Sequence, residues 1–291
     1  MAFAPIKQNF QDWITQQWVI LFGKKINRKE YQWLLGPFGK TDGIGLKFIQ
    51  QLAKGENLRI DNKQVDKGLL HSISQFNLPE NERKKLSKNV IDFYENTSNY
   101  DFDLSVKWNP VFKIFGGLLK DLFSNRIQQL NIPMGSNKDS EVLQSKIIHL
   151  IDDQKNEVKR TIWLRTFENS SQVVYSGVYE VCTLPNGTNC IKAIFPLPNG
   201  SATVILKPAV GENGELILNS SGKKIGDSGF YFLLNDAKGN LWTKFISSFK
   251  DTLVVSSNNG KVIAIQTLTL WNLRVLQFTY NIKKKSGFNS V

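Results

Sequence analysis

Two cysteines and two histidines in 291 residues leave little material for metal or redox chemistry. A disulfide framework needs more thiols, and a Cys/His zinc site would need carboxylates to complete it. No metal and no cofactor is therefore expected. No apolar stretch reaches the roughly 18–20 residues of a spanning helix, and none of signal-peptide length follows Met-Ala-Phe-Ala-Pro. The expectation is a soluble cytoplasmic protein, with peripheral attachment to a membrane as the alternative. Asn-x-Ser/Thr triplets at Asn96, Asn186 and Asn199 then have no bearing on glycosylation, which requires secretion.

With 41% hydrophobic and 21% charged residues the chain has the balance of a folded globular protein, not of a disordered or low-complexity one. The feature out of balance is charge, +12 overall. A nucleic-acid binder concentrates its basic residues on one face, arm or helix. Here residues 1–140 carry +6 and the remainder carries +6. The local groups (Lys24, Lys25, Arg28, Lys29; Arg83, Lys84, Lys85, Lys88; Lys283, Lys284, Lys285) read as solvated faces. Specific nucleic-acid recognition is not expected; attraction to an anionic membrane surface is the partner that this charge allows.

The chain changes character near residue 100. Before it, Phe10, Trp13, Ile14, Trp18, Leu21 and Phe22 fall at helical spacing. Further helices are expected over 45–53 and 80–94, with the polar stretch 60–78 as a linker. From Asp101 to Trp108 apolar and polar residues alternate, as in a strand with one buried face. Asn109-Pro110 then starts a helix expected to run over 110–130 with a broad apolar stripe.

Beyond Glu141 the pattern is almost entirely β, with strands expected near 143–152, 158–168, 172–184, 189–197, 202–208, 214–220, 229–235, 240–248, 251–257, 261–271 and 274–282. Turns such as Asn186-Gly187, Asn213-Gly214 and Asn259-Gly260 separate them. Connections this short require antiparallel neighbours. The fold class expected is α+β: amino-terminal helices (1–95), then a large antiparallel up-and-down sheet (96–291) curled into a barrel or half-barrel and covered by the helix 110–130.

Several phrases together resemble an uncharacterised family of bacterial proteins: Trp33-Leu34-Leu35-Gly36-Pro37-Phe38-Gly39, Phe93-Tyr94-Glu95-Asn96-Thr97, Trp108-Asn109-Pro110, Gln128 to Pro133, Phe195 to Gly200 and Gly226 to Phe232. Residues 93–282 resemble the carboxy-terminal soluble region of YndJ-like membrane proteins. The resemblance implies one shared fold and no known activity.

Motifs that invite catalytic readings do not hold. Gly36 to Thr41 has two residues where a phosphate loop needs four before Gly-Lys-Thr. Gly226-Asp227-Ser228-Gly229 is followed by Phe230, and nothing around His149 completes a triad. Cys182 and Cys190 flank a Pro-Asn-Gly turn and read as two buried or free thiols, a bridge being the alternative if both side chains project to one face. Asp101 and Asp103 lie on the expected solvent face of their strand.

The group best suited to a site is Arg160, Arg165, Tyr175, Ser176, Tyr179, Glu180 and Tyr231, polar residues among aromatics in adjoining strands. Any part of it that faces inward would supply the few oriented polar groups of an apolar ligand pocket, with Arg165 able to grip a carboxylate or phosphate in two-pronged fashion. The expected function is binding of a hydrophobic or amphipathic small molecule, a lipid included, in a β cup, with Arg165, Tyr175, Ser176, Tyr179, Glu180 and Tyr231 as candidate contacts. The alternatives are an enzyme using the same cup, or a membrane-surface or protein-interaction module.

Overall fold

The computed structural model describes residues 2–5, 10–40, 46–63, 66–112, 141–169 and 173–285. The expected helix over 110–130 lies almost wholly outside the described residues. In chain order the elements are α1 (Phe10–Phe22), β1 (Lys24–Lys25), α2 (Leu46–Glu56), β2 (Arg59–Asp61), α3 (Glu80–Arg83), α4 (Lys88–Glu95), β3 (Tyr100–Trp108), β4 (Glu141–Asp152) and β5 (Glu157–Phe167). They continue with β6 (Val173–Thr183), β7 (Asn189–Leu197), β8 (Gly200–Val210), β9 (Leu216–Asn219), β10 (Gly229–Asn235), β11 (Leu241–Phe245), β12 (Phe249–Asn258), β13 (Lys261–Leu270) and β14 (Leu273–Lys284).

Ten of these strands close a barrel in the order β3-β4-β5-β6-β7-β8-β9-β12-β13-β14, with β14 pairing back to β3. Every pairing around the ring is antiparallel, as the short turns require. The sheet forks along β8. Lys207 to Val210 pair with β9 and close the ring, whereas Gly200 to Ile205 pair with β10 on the same edge. The hairpin β10–β11, extended by β1, therefore leaves the barrel as a side sheet. At the β12–β13 turn Asn259 and Gly260 both take positive φ, 48° and 79°, the geometry that makes Asn-Gly a hairpin signal.

The strands next to α2 are apolar on both faces because both faces are covered. On β5, Trp163, Arg165 and Phe167 point into the barrel, while Ile162 and Leu164 point out. The outward set, with Ile148 and Leu150 of β4, Val178 of β6 and Ile194 of β7, packs under Phe48, Ile49 and Ala53 of α2. Each such side chain contributes roughly 1.5–3 kcal/mol by leaving water. The outer face of these barrel strands is thus covered by α2.

Two expectations for the amino-terminal part need correction. The stretch 60–78 is not a linker: β2 pairs with β4, and Leu69, Leu70, Ile73 and Phe76 join the core. A 3-10 turn at Ile73–Phe76 is fixed by a capping box, Ser72 accepting from the Ser74 N–H and Gln75 from the Ser72 N–H. Gly68 is required here, since an added Cβ would lie 2.3 Å from the Glu95 carbonyl oxygen. The helix expected over 80–94 is two, α3 and α4, parted where the Ser87 N–H donates to the Gly214 carbonyl. Val90, Phe93 and Tyr94 of α4 enter the same core as the barrel interior.

Candidate functional site

The barrel interior is not filled solid. It contains a cavity of about 90 Å³, bounded by Phe102, Trp163, Tyr175, Tyr179, Phe195 and Tyr280 among others, with Phe93 and Tyr94 of α4 at its wall. At roughly 30 Å³ per water molecule this is room for a few waters or one small solute. Gly177 sits opposite Trp163 across β5 and β6. An alanine Cβ there would lie 3.1 Å from the Phe195 ring and 3.2 Å from that of Tyr179. The missing side chain is what lets the rings close in.

Into this apolar chamber project the side chains of Arg165, Asp251 and Gln266. Arg165 is 6% exposed. Its guanidinium carbon lies 4.2 Å from the Trp163 ring centre and 4.6 Å from that of Tyr175. Nη1 and Nη2 reach the Tyr280 and Tyr179 hydroxyls at 3.5 and 3.4 Å, beyond the usual 2.7–3.2 Å. Nε is buried with no hydrogen-bond partner. Among the described residues no carboxylate forms an ion pair with Arg165.

Asp251, 5% exposed, is held by its backbone to Ser220: its N–H donates to the Ser220 hydroxyl at 2.7 Å. One carboxylate oxygen, Oδ2, accepts from the Gln266 amide at 2.7 Å; the other, Oδ1, is buried without a partner. Burial pushes the Asp251 carboxyl up to about 7, against the lowering effect of the Gln266 hydrogen bond. Burial likewise raises Tyr175 and Tyr179, and takes Tyr280 to about 12. Burial works against the charge of Arg165, and its pKa is nonetheless raised by Coulomb attraction to Tyr179, Tyr280 and Tyr175; the residue stays a cation, but those tyrosines are themselves uncharged near neutrality and do not neutralise it there.

Burial of Arg165 has a cost that its surroundings offset only in part. Removing a cation from water costs several kcal/mol even after relaxation. Each ring contact returns up to about 2 kcal/mol in a desolvated setting, and Arg165 has contacts to Trp163, Tyr175 and, more distantly at 5.9 Å, Tyr280. The two long hydrogen bonds add little, and no charged acceptor among the described residues meets the guanidinium.

The six candidate contacts separate. Arg165, Tyr175 and Tyr179 share the interior wall. Ser176 and Glu180 alternate to the outer face, with Ser176 opposite Leu164. There Glu180 pairs with Arg160 and, at 3.2 Å, with Lys192, while Arg160 also holds Glu56 of α2 at 2.9 Å. Tyr231 lies in β10, outside the ring, where its hydroxyl donates to the Asp227 carbonyl at 2.6 Å and accepts from the Gly226 N–H. Asp251, Gln266, Trp163 and Tyr280 were not among the candidates. Period-two alternation carries the missing signal: Asp251 is in phase with Leu253 and Val255, and Gln266 with Ala264.

The remaining motifs take structural places. Gly39 bridges to Pro198 and donates to the Gly200 carbonyl at 3.2 Å. The Asp227 carboxylate accepts from the Lys223 and Lys224 amides in a turn. Cys182 and Cys190 face each other across β6 and β7 as buried free thiols, pushed up by burial to about 11 and 12. Asp103 pairs with Lys283 at 2.6 Å on the outside.

These features define a closed ten-stranded antiparallel barrel with outer helices and a small internal cavity carrying ionisable side chains. The chain is similar to an uncharacterised membrane protein, YndJ, of Bacillus subtilis (strain 168), at 29% identity over 249 residues, 84% of this chain. The match covers 42% of YndJ, so the chain spans less than half the length of that relative. No family model matches, and no solved structure matches. Among the described residues no helix is long and apolar enough to cross a membrane, which says nothing of spanning strands.

Proposed function

We propose that the protein is a binding protein whose barrel interior takes a small amphipathic molecule. The observation that carries this is the cavity of about 90 Å³ into which buried Arg165 and Asp251 both project with unpartnered atoms. An apolar lining with a few convergent polar groups is the usual composition of a ligand site. The volume is well below the roughly 300 Å³ at which sites for drug-sized molecules begin. It favours a short-chain or single-ring molecule over a long-chain lipid. Native mass spectrometry of the purified full chain tests the reading: an adduct of defined mass, lost on denaturation, supports it. Bare protein that also gains no thermal stability from any small amphiphile counts against it.

A second reading concerns the surface, and a separate observation favours it. α1 turns Val19 and Ile20 onto Leu234 of β10, yet leaves Phe10, Leu21 and Phe22 at 71%, 68% and 63% exposure. Exposed Lys24 and Lys25 follow directly in the chain. Large apolar side chains beside basic ones suit an anionic bilayer surface, and the similar protein from Bacillus is named a membrane protein. On this reading the barrel works while resting on a membrane. Co-flotation with phosphatidylglycerol vesicles at low salt, absent with phosphatidylcholine vesicles, is the expected result.

A further inference from the structure

We propose that the ligand of the barrel is an oxyanion with a short apolar body, a carboxylate or a phosphate monoester, with Arg165 as its counter-ion and Asp251 as its second polar contact. The assignment rests on the interior being a ligand site and names what that site selects.

Arg165 sets the sign of the charge. A guanidinium carries five N–H donors in one plane and no acceptor. Here the Trp163 and Tyr175 rings lie against the group and help fix its orientation. What it lacks is an anion: Nε is buried without a partner, the two hydroxyl contacts are long, and no described carboxylate pairs with it. A carboxylate or phosphate matches the planar fork of donors with two parallel hydrogen bonds, a geometry that neither an alcohol nor an amide reproduces.

Asp251 sharpens the selection. Its carboxyl holds a proton up to about pH 7 because burial disfavours the anion. In that form the Arg165–Asp251 pair carries one net positive charge, which attracts an anion and repels an amine. A protonated Asp251 also has an O–H to donate, and its Oδ1 is unpartnered. The tyrosines add no negative charge near neutrality, since all three are raised above their ordinary range. Phe195, Ile191, Ala193, Val204 and Leu218 complete the apolar part of the wall, leaving little room beyond a few carbons.

The test is calorimetric titration of the full chain at pH 6.5 with four probes that share a four-carbon chain and differ in the polar head: butanoate, monobutyl phosphate, 1-butanol and butylamine. Butanoate or monobutyl phosphate is expected to bind at least tenfold more tightly than 1-butanol, with no binding of butylamine. The order of the two anions tells which oxyanion the site prefers. In Arg165→Gln the anion preference should vanish while 1-butanol binding stays within about threefold. If 1-butanol binds as tightly as both anions to the unaltered protein, the anion assignment is overturned and the ligand-site reading stands. If none of the four binds, both fail. Because the decisive comparison uses the unaltered chain, a variant that does not fold leaves the outcome intact.

Discussion

The guanidinium of Arg165 and the carboxyl of Asp251 open on the same internal cavity without forming an ion pair, and each keeps one buried atom without a hydrogen bond. A protein built only for stability would bring such groups together or replace both with hydrocarbon. Their separation is the structural basis for reading the barrel as a receptor.

Asp251 should leave a signature in the pH dependence of stability. Its folded pKa, about 7, lies above the ordinary aspartate value of 3.8. Between those values the folded state binds more protons than the unfolded one, so this group makes stability fall as pH rises from about 4 to about 7 and adds no slope above that. Asp251→Asn should therefore raise unfolding free energy more at pH 8 than at pH 4.5, by a few kcal/mol at the higher pH. His149, whose pKa burial lowers, slopes the other way near pH 6 in both proteins and cancels from the difference. Urea unfolding of both proteins across that range checks this; equal gains at both pH values would contradict it.

The same proton should govern affinity. Above about pH 7 an ionised Asp251 places a negative charge in the chamber, so butanoate binding should weaken there. The groups facing it, Tyr175, Tyr179, Tyr280, Arg165 and Gln266, keep their charge over that range. Asp251→Asn should bind butanoate with little change between pH 6 and 8. Calorimetry at the two pH values measures it.

Arg165→Met should make the ligand-free protein more stable. The change removes an unpaired buried cation and keeps an unbranched apolar chain, for a gain of about 1–3 kcal/mol, seen as a rise in Tm of several degrees. Calorimetry of the unliganded variant decides. A clear loss of stability would mean that ring contacts outweigh desolvation and that Arg165 is structural.

Residues on the outer face should separate stability from binding. Glu180→Gln removes one of the two carboxylates on Arg160, which keeps Glu56, and the carboxylate beside buried Lys192, and should cost about 2–3 kcal/mol. Tyr231→Phe loses the hydroxyl that ties down Gly226 and Asp227 and should cost about 1 kcal/mol. Neither should shift butanoate affinity, since neither side chain reaches the cavity. A tenfold shift in either variant would place the site elsewhere.

The exposed face of α1 makes its own prediction. Leu21→Ser with Phe22→Ser should abolish co-flotation with phosphatidylglycerol vesicles and leave Tm within about a degree, because both side chains stand in solvent. Unchanged flotation would remove α1 from any membrane contact.

Much of the barrel was legible because its local signals agree: Asn-Gly turns, short connections and alternating strands point to one antiparallel meander. The fork at β8 was not. Nothing in Gly200 to Val210 tells that one half pairs with β10 and the other with β9. Nor could alternation decide which face of β5 or β6 points inward, since hydrophobic groups fill both. Arg165, Tyr175 and Tyr179 share the interior wall, but Ser176 and Glu180, adjacent in sequence, face the opposite way. Asp251 shares the phase of Leu253 and Val255, so alternation puts it on the apolar face of β12, and closure of the ring turns that face inward. The core role of Leu69, Leu70, Ile73 and Phe76 was hidden for another reason: in an irregular segment apolar residues have no period to detect.

The most direct measurement is the Nε–Hε resonance of Arg165 in a proton–nitrogen correlation spectrum of the full chain, identified by its loss in Arg165→Gln. On titration with butanoate this resonance should move downfield and saturate as the buried donor gains a charged acceptor, and it should stay in place with 1-butanol. An Arg165 resonance that does not respond to butanoate, while butanoate binding is seen by calorimetry, would contradict the account.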